Sequence, residues 1–435
     1  MRRSLVSAAL VLLAAASLPA QSPSLDGTWQ GIFHPGPQQF RVVLEIRHTA
    51  TGQLAAAIYS PDQGPEPLRV DTITAQGKDL HFSVAEVGAT WSGALSADGN
   101  TLRGTITQGD ISPLDLHRAS AAEFWIDPRI HGKPSSVTVA PGVQLQVIDW
   151  GGSGRTLLLL AGLGNTAHIF DRFAQQLTPH FHVLGITRRG FGESSTPSPE
   201  DTANYTADRL GDDVNAVITT LHLQKPVLIG HSIAGEELSA IANRHPEAVS
   251  ALVYLDAGFP YALYDPAVGD YNLDLLTLQR QLAELLPGAV HDKPAPELLS
   301  EIQAELPTFE RDLGNQRTLI SMMPPPPPSP AGSRPLTPAD AILRGEEKFA
   351  HIPVPALAIF AVPHNVRGLV PDGNPDKLRQ AETIDRDRMT VLADSFAHDV
   401  PSATVVRLPN ADHYVFLSNE AEVLRSLNSF LAAHP

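Results

Sequence analysis

Cysteine is absent from all 435 residues. Disulfides, thiolate metal sites and a cysteine nucleophile are thereby excluded, although an oxidising compartment is not. Positive charge is scarce too, with 31 Lys and Arg against 47 Asp and Glu and a formal net charge of −16. A surface of that sign repels nucleic acid and anionic membranes and says little about a small neutral molecule; a small-molecule substrate is the expected partner. The 17 histidines show no H-E-x-x-H or similar ligand spacing. Gly162-x-Gly164 lacks the third glycine and later acid of a dinucleotide fingerprint. No metal and no cofactor are expected.

Long apolar runs are missing beyond the N-terminus, so no stable membrane anchor is expected once that segment is removed. Arg2 and Arg3 supply a positive start, Leu5 to Leu18 an apolar stretch, and Ser17-Leu18-Pro19-Ala20 a small-residue end. Residues 1–20 therefore read as a signal peptide, and a periplasmic or secreted protein is expected. Gln21 stands where a lipoprotein signal carries Cys.

The length exceeds one ordinary core, so two folded units are expected. Residues 25–118 read as an all-β module of barrel-like or sandwich form. Phe40, Val42, Leu44 and Ile46 alternate with other residues at period two, as do Leu54, Ala56 and Ile58, then Leu80, Phe82 and Val84. Thr51-Gly52, Gln76-Gly77 and Asp98-Gly99-Asn100 mark turns between them. Gly27-Thr28-Trp29-Gln30-Gly31 and Ser60-Pro61-Asp62-Gln63-Gly64 give the stretch a resemblance to a β-module that precedes serine hydrolases in some bacterial proteins. A structural or solubilising role is preferred over ligand binding, because a fold alone does not carry function. Residues 119–136 read as a linker.

From 137 to 435 strand-like runs alternate with helical ones, the pattern of a mostly parallel sheet covered on both faces. The runs are Thr156–Leu160, Val183–Ile186, Val227–Ile229, Ala251–Leu255, Ala356–Ala361 and Thr404–Leu408, with a helix over Ala207–Leu221. An insertion at about 258–350 interrupts them, with helices predicted near Leu273–Leu286 and Glu297–Leu313 and a proline tract at Pro324–Pro328. Its place after a strand's carboxyl end suits a lid over a site.

Gly230-His231-Ser232-Ile233-Ala234-Gly235 lies between an apolar strand and a helix. A serine at such a turn sits in a strained elbow, with small neighbours that let helix and strand approach. Ala161-Gly162-Leu163-Gly164 ends the first long strand, and Asn410-Ala411-Asp412-His413-Tyr414 follows the last. Over residues 137–435 these motifs resemble the α/β-hydrolase superfamily. The resemblance implies an α/β-hydrolase fold with a helical lid, Ser232 as nucleophile, His413 as general base, and Leu163 and Ile233 N–H groups as the oxyanion hole. Three departures stand out: Ala161 where His is common, Thr187 where the turn Arg188-Arg189-Gly190-Phe191-Gly192 usually begins with Asp, and Ala234 where the elbow usually carries Gly.

Most relatives place the acid after the strand that here is Leu357–Ala361, yet Val362-Pro363-His364-Asn365 follows it. Asp256, after the preceding strand, keeps the order Ser–Asp–His and is the expected acid, with Asp372 and Asp376 as rivals. His231 is expected to pack beside the elbow. Relatives acting on haloalkanes or epoxides attack with Asp, so the serine points to acyl transfer, with a carboxylesterase acting on a small or medium apolar ester as the expectation. A proline-iminopeptidase-like peptidase and a C–C bond hydrolase are alternatives using the same triad. A hydrolase fold kept only for binding is the non-enzymatic one.

Overall fold

The computed structural model describes residues 24–34, 40–49, 52–60, 68–108, 110–119, 132–289, 293–322, 335–369 and 374–434. The signal peptide, the proline tract, most of the expected linker and Asp372 lie outside these residues.

The described residues between 27 and 119 form one antiparallel ten-stranded sheet that curls on itself. Its core gathers the inward positions of the alternating runs, including Val42, Leu44, Leu80, Phe82 and Trp91. The Trp91 indole N–H donates to the Leu114 carbonyl at 2.9 Å, and its ring stacks on Phe82. Phe40 begins the first of those runs but leaves this core. It is buried instead among Ile148, Trp150 and Phe170 of the second sheet's core. Beside it Arg41 pairs with Asp171 at 3.1 Å. Asp171 also accepts from the Trp150 indole at 2.9 Å.

The second sheet has eight strands: β1 Lys133–Ala140, β2 Val143–Gly151, β3 Thr156–Leu160, β4 His182–Ile186, β5 Val227–His231, β6 Ala251–Leu255, β7 Ala356–Ala361 and β8 Ala403–Leu408. β1 opens inside the stretch read as linker. The spatial order is β1-β2-β4-β3-β5-β6-β7-β8. β1, β2 and β4 pair antiparallel, and every pair from β4-β3 to β7-β8 is parallel. Side chains alternate between the faces: Leu158 and Leu160 enter one core, Leu157 and Leu159 the other.

Helices cover both faces, as parallel sheets require. They are α1 Asp171–Leu177, α2 Ala207–Thr220, α3 Ala234–Arg244, α4 Tyr271–Glu284, α5 Ala295–Met322, α6 Pro338–Arg344, α7 Pro375–Asp399, α8 Val415–Ser418 and α9 Glu420–Ala433. Val214, Val217, Leu238, Ile241, Met389 and Phe396 bring α2, α3 and α7 to one face. Phe173, Leu177, Val423 and Leu427 bring α1 and α9 to the other.

The insertion between β6 and β7 carries α4, a long α5 that continues past the internal Pro307, and α6. The third helix was not expected, although Thr337 and Asp340 form a capping box that starts it. Ala341 and Ile342 of α6 pack with Ile233, Leu163, Phe191 and Tyr261, which seats this helix beside the serine elbow. Asn272 of α4 donates to Glu346, just beyond α6, and so ties two parts of the insertion together. Burial pushes the Glu346 carboxyl up from 4.5 to about 7, with the Asn272 bond opposing the shift.

Two outcomes are expected. Phe40→Ala, though its change lies in the first sheet, should remove about 3–5 kcal/mol from the second sheet's core and lower the thermal midpoint accordingly. Glu346 favours its protonated form in the fold, so its contribution is full below the unfolded value and lost as pH rises through about 7. Glu346→Gln should therefore raise the thermal midpoint by a few degrees at pH 8 and leave it unchanged near pH 4.5. An equal effect at both pH values would contradict this.

Candidate active site

Ser232 lies at the tight turn between β5 and α3 with φ of 54°, a left-handed conformation that costs a non-glycine residue energy. The surrounding packing holds it there. A Cβ on Gly235 would lie 2.1 Å from the Ala257 carbonyl, so glycine is obligatory at that position. This explains the departure at Ala234: the close backbone approach falls one residue later than in the common pattern, and a methyl at 234 is accommodated in the buried core. Gly162 is pressed against the elbow in the same way, a Cβ there lying 2.8 Å from the His231 ring and 3.3 Å from the Ser232 Cβ.

The N–H groups of Leu163 and Ile233, the expected oxyanion hole, donate to no carbonyl among the described backbone hydrogen bonds. The loop carrying Leu163 has its own clamp. The buried Arg188 guanidinium donates to the Ala161 carbonyl at 2.8 Å and the Gly162 carbonyl at 3.3 Å, and pairs with buried Glu237 of α3. Arg188 thus holds the loop that Ala161, in place of His, cannot. In the sequence Arg188 reads only as part of a turn, so this link was not foreseen. Arg189 ties the turn to α2, bonding Asp213 through two nitrogens at 2.6 Å each. Thr187, in place of Asp, accepts from the Ala167 N–H and donates to Gln146.

The expected base and acid meet. His413 Nδ1 lies 2.7 Å from Asp256 Oδ2. A carboxylate only accepts, so the proton sits on Nδ1 and leaves Nε2 as the free acceptor. Asp256 is wholly buried at the end of β6, with φ of 47°, and its Oδ1 accepts from the Ala361 N–H at 2.9 Å. Burial alone would raise its pKa; hydrogen bonds from His364 and His413, together with attraction to those rings when they are protonated, outweigh burial and hold it near 2. Asp376 is exposed and paired with Arg379 in the first turn of α7.

Among the described residues no hydrogen bond joins Ser232 to His413. Such bonds are often unmade without substrate and tighten on binding. Tyr261 packs with Ile233 beside the elbow. His231 packs beneath as expected, its ring 4.7 Å from that of His413 and its Nε2 donating to the His413 carbonyl at 3.1 Å. Burial pushes it down to about 3, so it is neutral and cannot compete as a base.

Two residues at the site were not foreseen. His364 occupies the place after β7 where a carboxylate was sought, and its Nε2 lies 2.7 Å from the same Oδ2 of Asp256. Its Nδ1 and backbone N–H both reach Asp385 of α7, at 3.0 and 2.6 Å. Asp256, His364 and His413 offer three ligand-type atoms within 4.8 Å. Tetrahedral ligands bonded to zinc at roughly 2.1 Å stand about 3.4 Å apart, whereas both nitrogens here are 2.7 Å from one oxygen, the length of a hydrogen bond. A hydroxyl in a strained elbow, an imidazole oriented by a buried carboxylate and two unspent N–H groups are together equipped for acyl transfer.

Comparison with known proteins agrees with this architecture. Residues 155–332 match the family model described as alpha/beta hydrolase fold. A fluoroacetate dehalogenase from a Burkholderia species is 34% identical over 116 residues, covering 26% of this chain and 38% of that protein. A 2-(acetamidomethylene)succinate hydrolase from Mesorhizobium japonicum is 24% identical over 282 residues, covering 65% of this chain and 90% of the relative. The chain thus spans well under half of the first relative's length and most of the second's. A crystal structure of E-2-(acetamidomethylene)succinate hydrolase superposes with a TM-score of 0.41 at 21% identity, covering 69% of this chain and 100% of that one. Among the described residues no helix is long and apolar enough to cross a membrane. With its eight-stranded sheet, its serine elbow and the family match over residues 155–332, the chain has the α/β-hydrolase fold.

Proposed function

We propose that the chain is an exported serine carboxylesterase in which Ser232, His413 and Asp256 act as a catalytic triad. The observation that carries this reading is the 2.7 Å bond between His413 Nδ1 and Asp256 Oδ2, made beside a serine already held in the elbow conformation. In the reaction His413 Nε2 takes the Ser232 proton as the oxygen attacks the ester carbonyl. The Leu163 and Ile233 N–H groups receive the developing oxyanion. His413 then returns the proton to the departing alcohol, and water repeats the sequence on the acyl-enzyme. Asp256 stays ionised throughout and stabilises the imidazolium.

A neutral, largely apolar ester suits the surroundings. Leu163, Phe191, Ile233, Tyr261 and Ile342 cluster beside the serine. The carboxyls near it are buried: both Glu236 oxygens lack a hydrogen-bond partner, and burial, then Glu346 and Glu237, raise its pKa well above the ordinary value. The nearby guanidinium of Arg188 is already taken by Glu237. Among the described residues beside the serine, a substrate carboxylate would find no free cation to receive it. A serine oxygen also favours the acyl reaction over the carbon–halogen chemistry in the name of the dehalogenase relative. Export rests on the pattern of residues 2–20, and N-terminal sequencing of the mature protein would begin at Gln21.

Hydrolysis of p-nitrophenyl esters tests the reading. Ser232→Ala should lower kcat/KM by at least about 10⁴-fold and abolish fluorophosphonate labelling. Asp256→Asn should lower kcat by about 10⁴-fold with the fold retained by circular dichroism, since the imidazole then adopts the wrong tautomer. Esterase activity that survives Ser232→Ala would end the proposal.

A further inference from the structure

His364 has no part in the triad, yet both of its ring nitrogens are spent on carboxylates. Nε2 faces Asp256 at 2.7 Å, and Nδ1 faces Asp385 at 3.0 and 3.2 Å. A carboxylate accepts and does not donate when ionised, so this double engagement requires a proton on each nitrogen. The ring is therefore an imidazolium by geometry. Its position is fixed by backbone as well: the segment pairs with the His413 loop, with the Asn365 N–H donating to the Ala411 carbonyl at 2.8 Å and the Asn410 N–H to the Pro363 carbonyl at 2.9 Å. The two imidazoles thus converge on one oxygen of Asp256 from adjoining loops, with ring centres 6.1 Å apart.

We propose that His364 is a positioning residue for the triad acid: its fixed positive charge neutralises buried Asp256 and keeps His413 unprotonated, hence competent as a base, to lower pH than Asp256 alone would permit. This inference rests on the triad reading above. Two effects follow from one side chain. The first is geometric, because Asp256 Oδ2 is held by two donors and cannot swing away when His413 moves towards serine. The second is electrostatic, because a cation about 6 Å from the His413 ring opposes a second positive charge there.

The charged and titratable groups facing the pair come from several elements. Asp385 approaches from α7, Asp256 from β6, and Asp412 from the His413 loop, where it feels the His364 charge. Tyr261 and His231 both feel the Asp256 charge. The net effect on His364 is clear in direction: burial opposes its charge, but hydrogen bonds and attraction from Asp256 and Asp385 push it up to about 10. The cation therefore persists through the whole range in which His413 works as a base.

The test is the pH dependence of fluorophosphonate reaction with full-length protein, which reports the free enzyme's base without knowledge of the substrate. His364→Gln keeps a donor towards Asp256 and removes the charge. The acid limb should then move upward by about one to two pH units. His364→Met, neutral and near in bulk, is measured alongside in case the Gln variant does not fold. His364→Lys restores a cation and should return the limb to within about half a unit of wild type. A limb that stays in place in the neutral variants, while Ser232→Ala is unreactive, overturns the proposal and leaves the triad reading standing. A limb displaced equally in His364→Lys also overturns it. Wild-type protein that does not react at all would remove the triad reading itself.

Discussion

One buried carboxylate imposes the geometry of this site. Asp256 has no exposure to solvent, and an ion in that position is tolerated only where hydrogen bonds and opposite charge replace its water. The fold supplies three donors from three segments: the Ala361 N–H at the end of β7, His413 beyond β8, and His364 between β7 and α7. The Asp256 N–H in turn donates to the Ile359 carbonyl at 2.7 Å, which locks the ends of β6 and β7 together. Removing any one partner leaves a buried charge short of compensation, and the others shift with it.

The serine side is braced from further away. Arg188, after β4, joins the loop carrying Leu163 to Glu237 of α3, so the two expected oxyanion donors are linked by a buried ion pair behind them. The curled sheet reaches the site as well. Phe40 meets the Tyr414 ring edge-on with centres 6.2 Å apart. The Tyr414 hydroxyl donates to Asn165 at 3.0 Å, and Asn165 N–H returns to the Gly162 carbonyl. A path of direct contacts therefore runs from the first sheet to the residue after His413 and to the loop before the elbow, which is more than a solubilising appendage would provide.

Much of this was legible before any coordinates, for identifiable reasons. Parallel strands buried on both faces read as short apolar runs, so Thr156–Leu160, Ala251–Leu255 and Ala356–Ala361 have the bounds the sequence suggested. Ser232, Asp256 and His413 were recognisable because each follows such a run. The partner of Phe40 was hidden, since period-two alternation assigns a residue to a face but not to the core it meets. His364 escaped for a different reason: only a carboxylate was sought after β7, and a histidine there gains meaning once Asp385, 21 residues on, is brought beside it by α7. Arg188 looked like part of a turn because two of its acceptors are backbone carbonyls, which carry no signature in the side-chain sequence, and the third, Glu237, lies 49 residues on.

The central claim is that Asp256 binds two imidazoles at once, one as a neutral base and one as a permanent cation. Nitrogen-15 NMR of histidine-labelled protein reads this directly, because protonated and bare ring nitrogens differ widely in shift. At pH 8 the account predicts both His364 nitrogens protonated and His413 protonated on Nδ1 alone. A His364 ring that is neutral at pH 8 would contradict it.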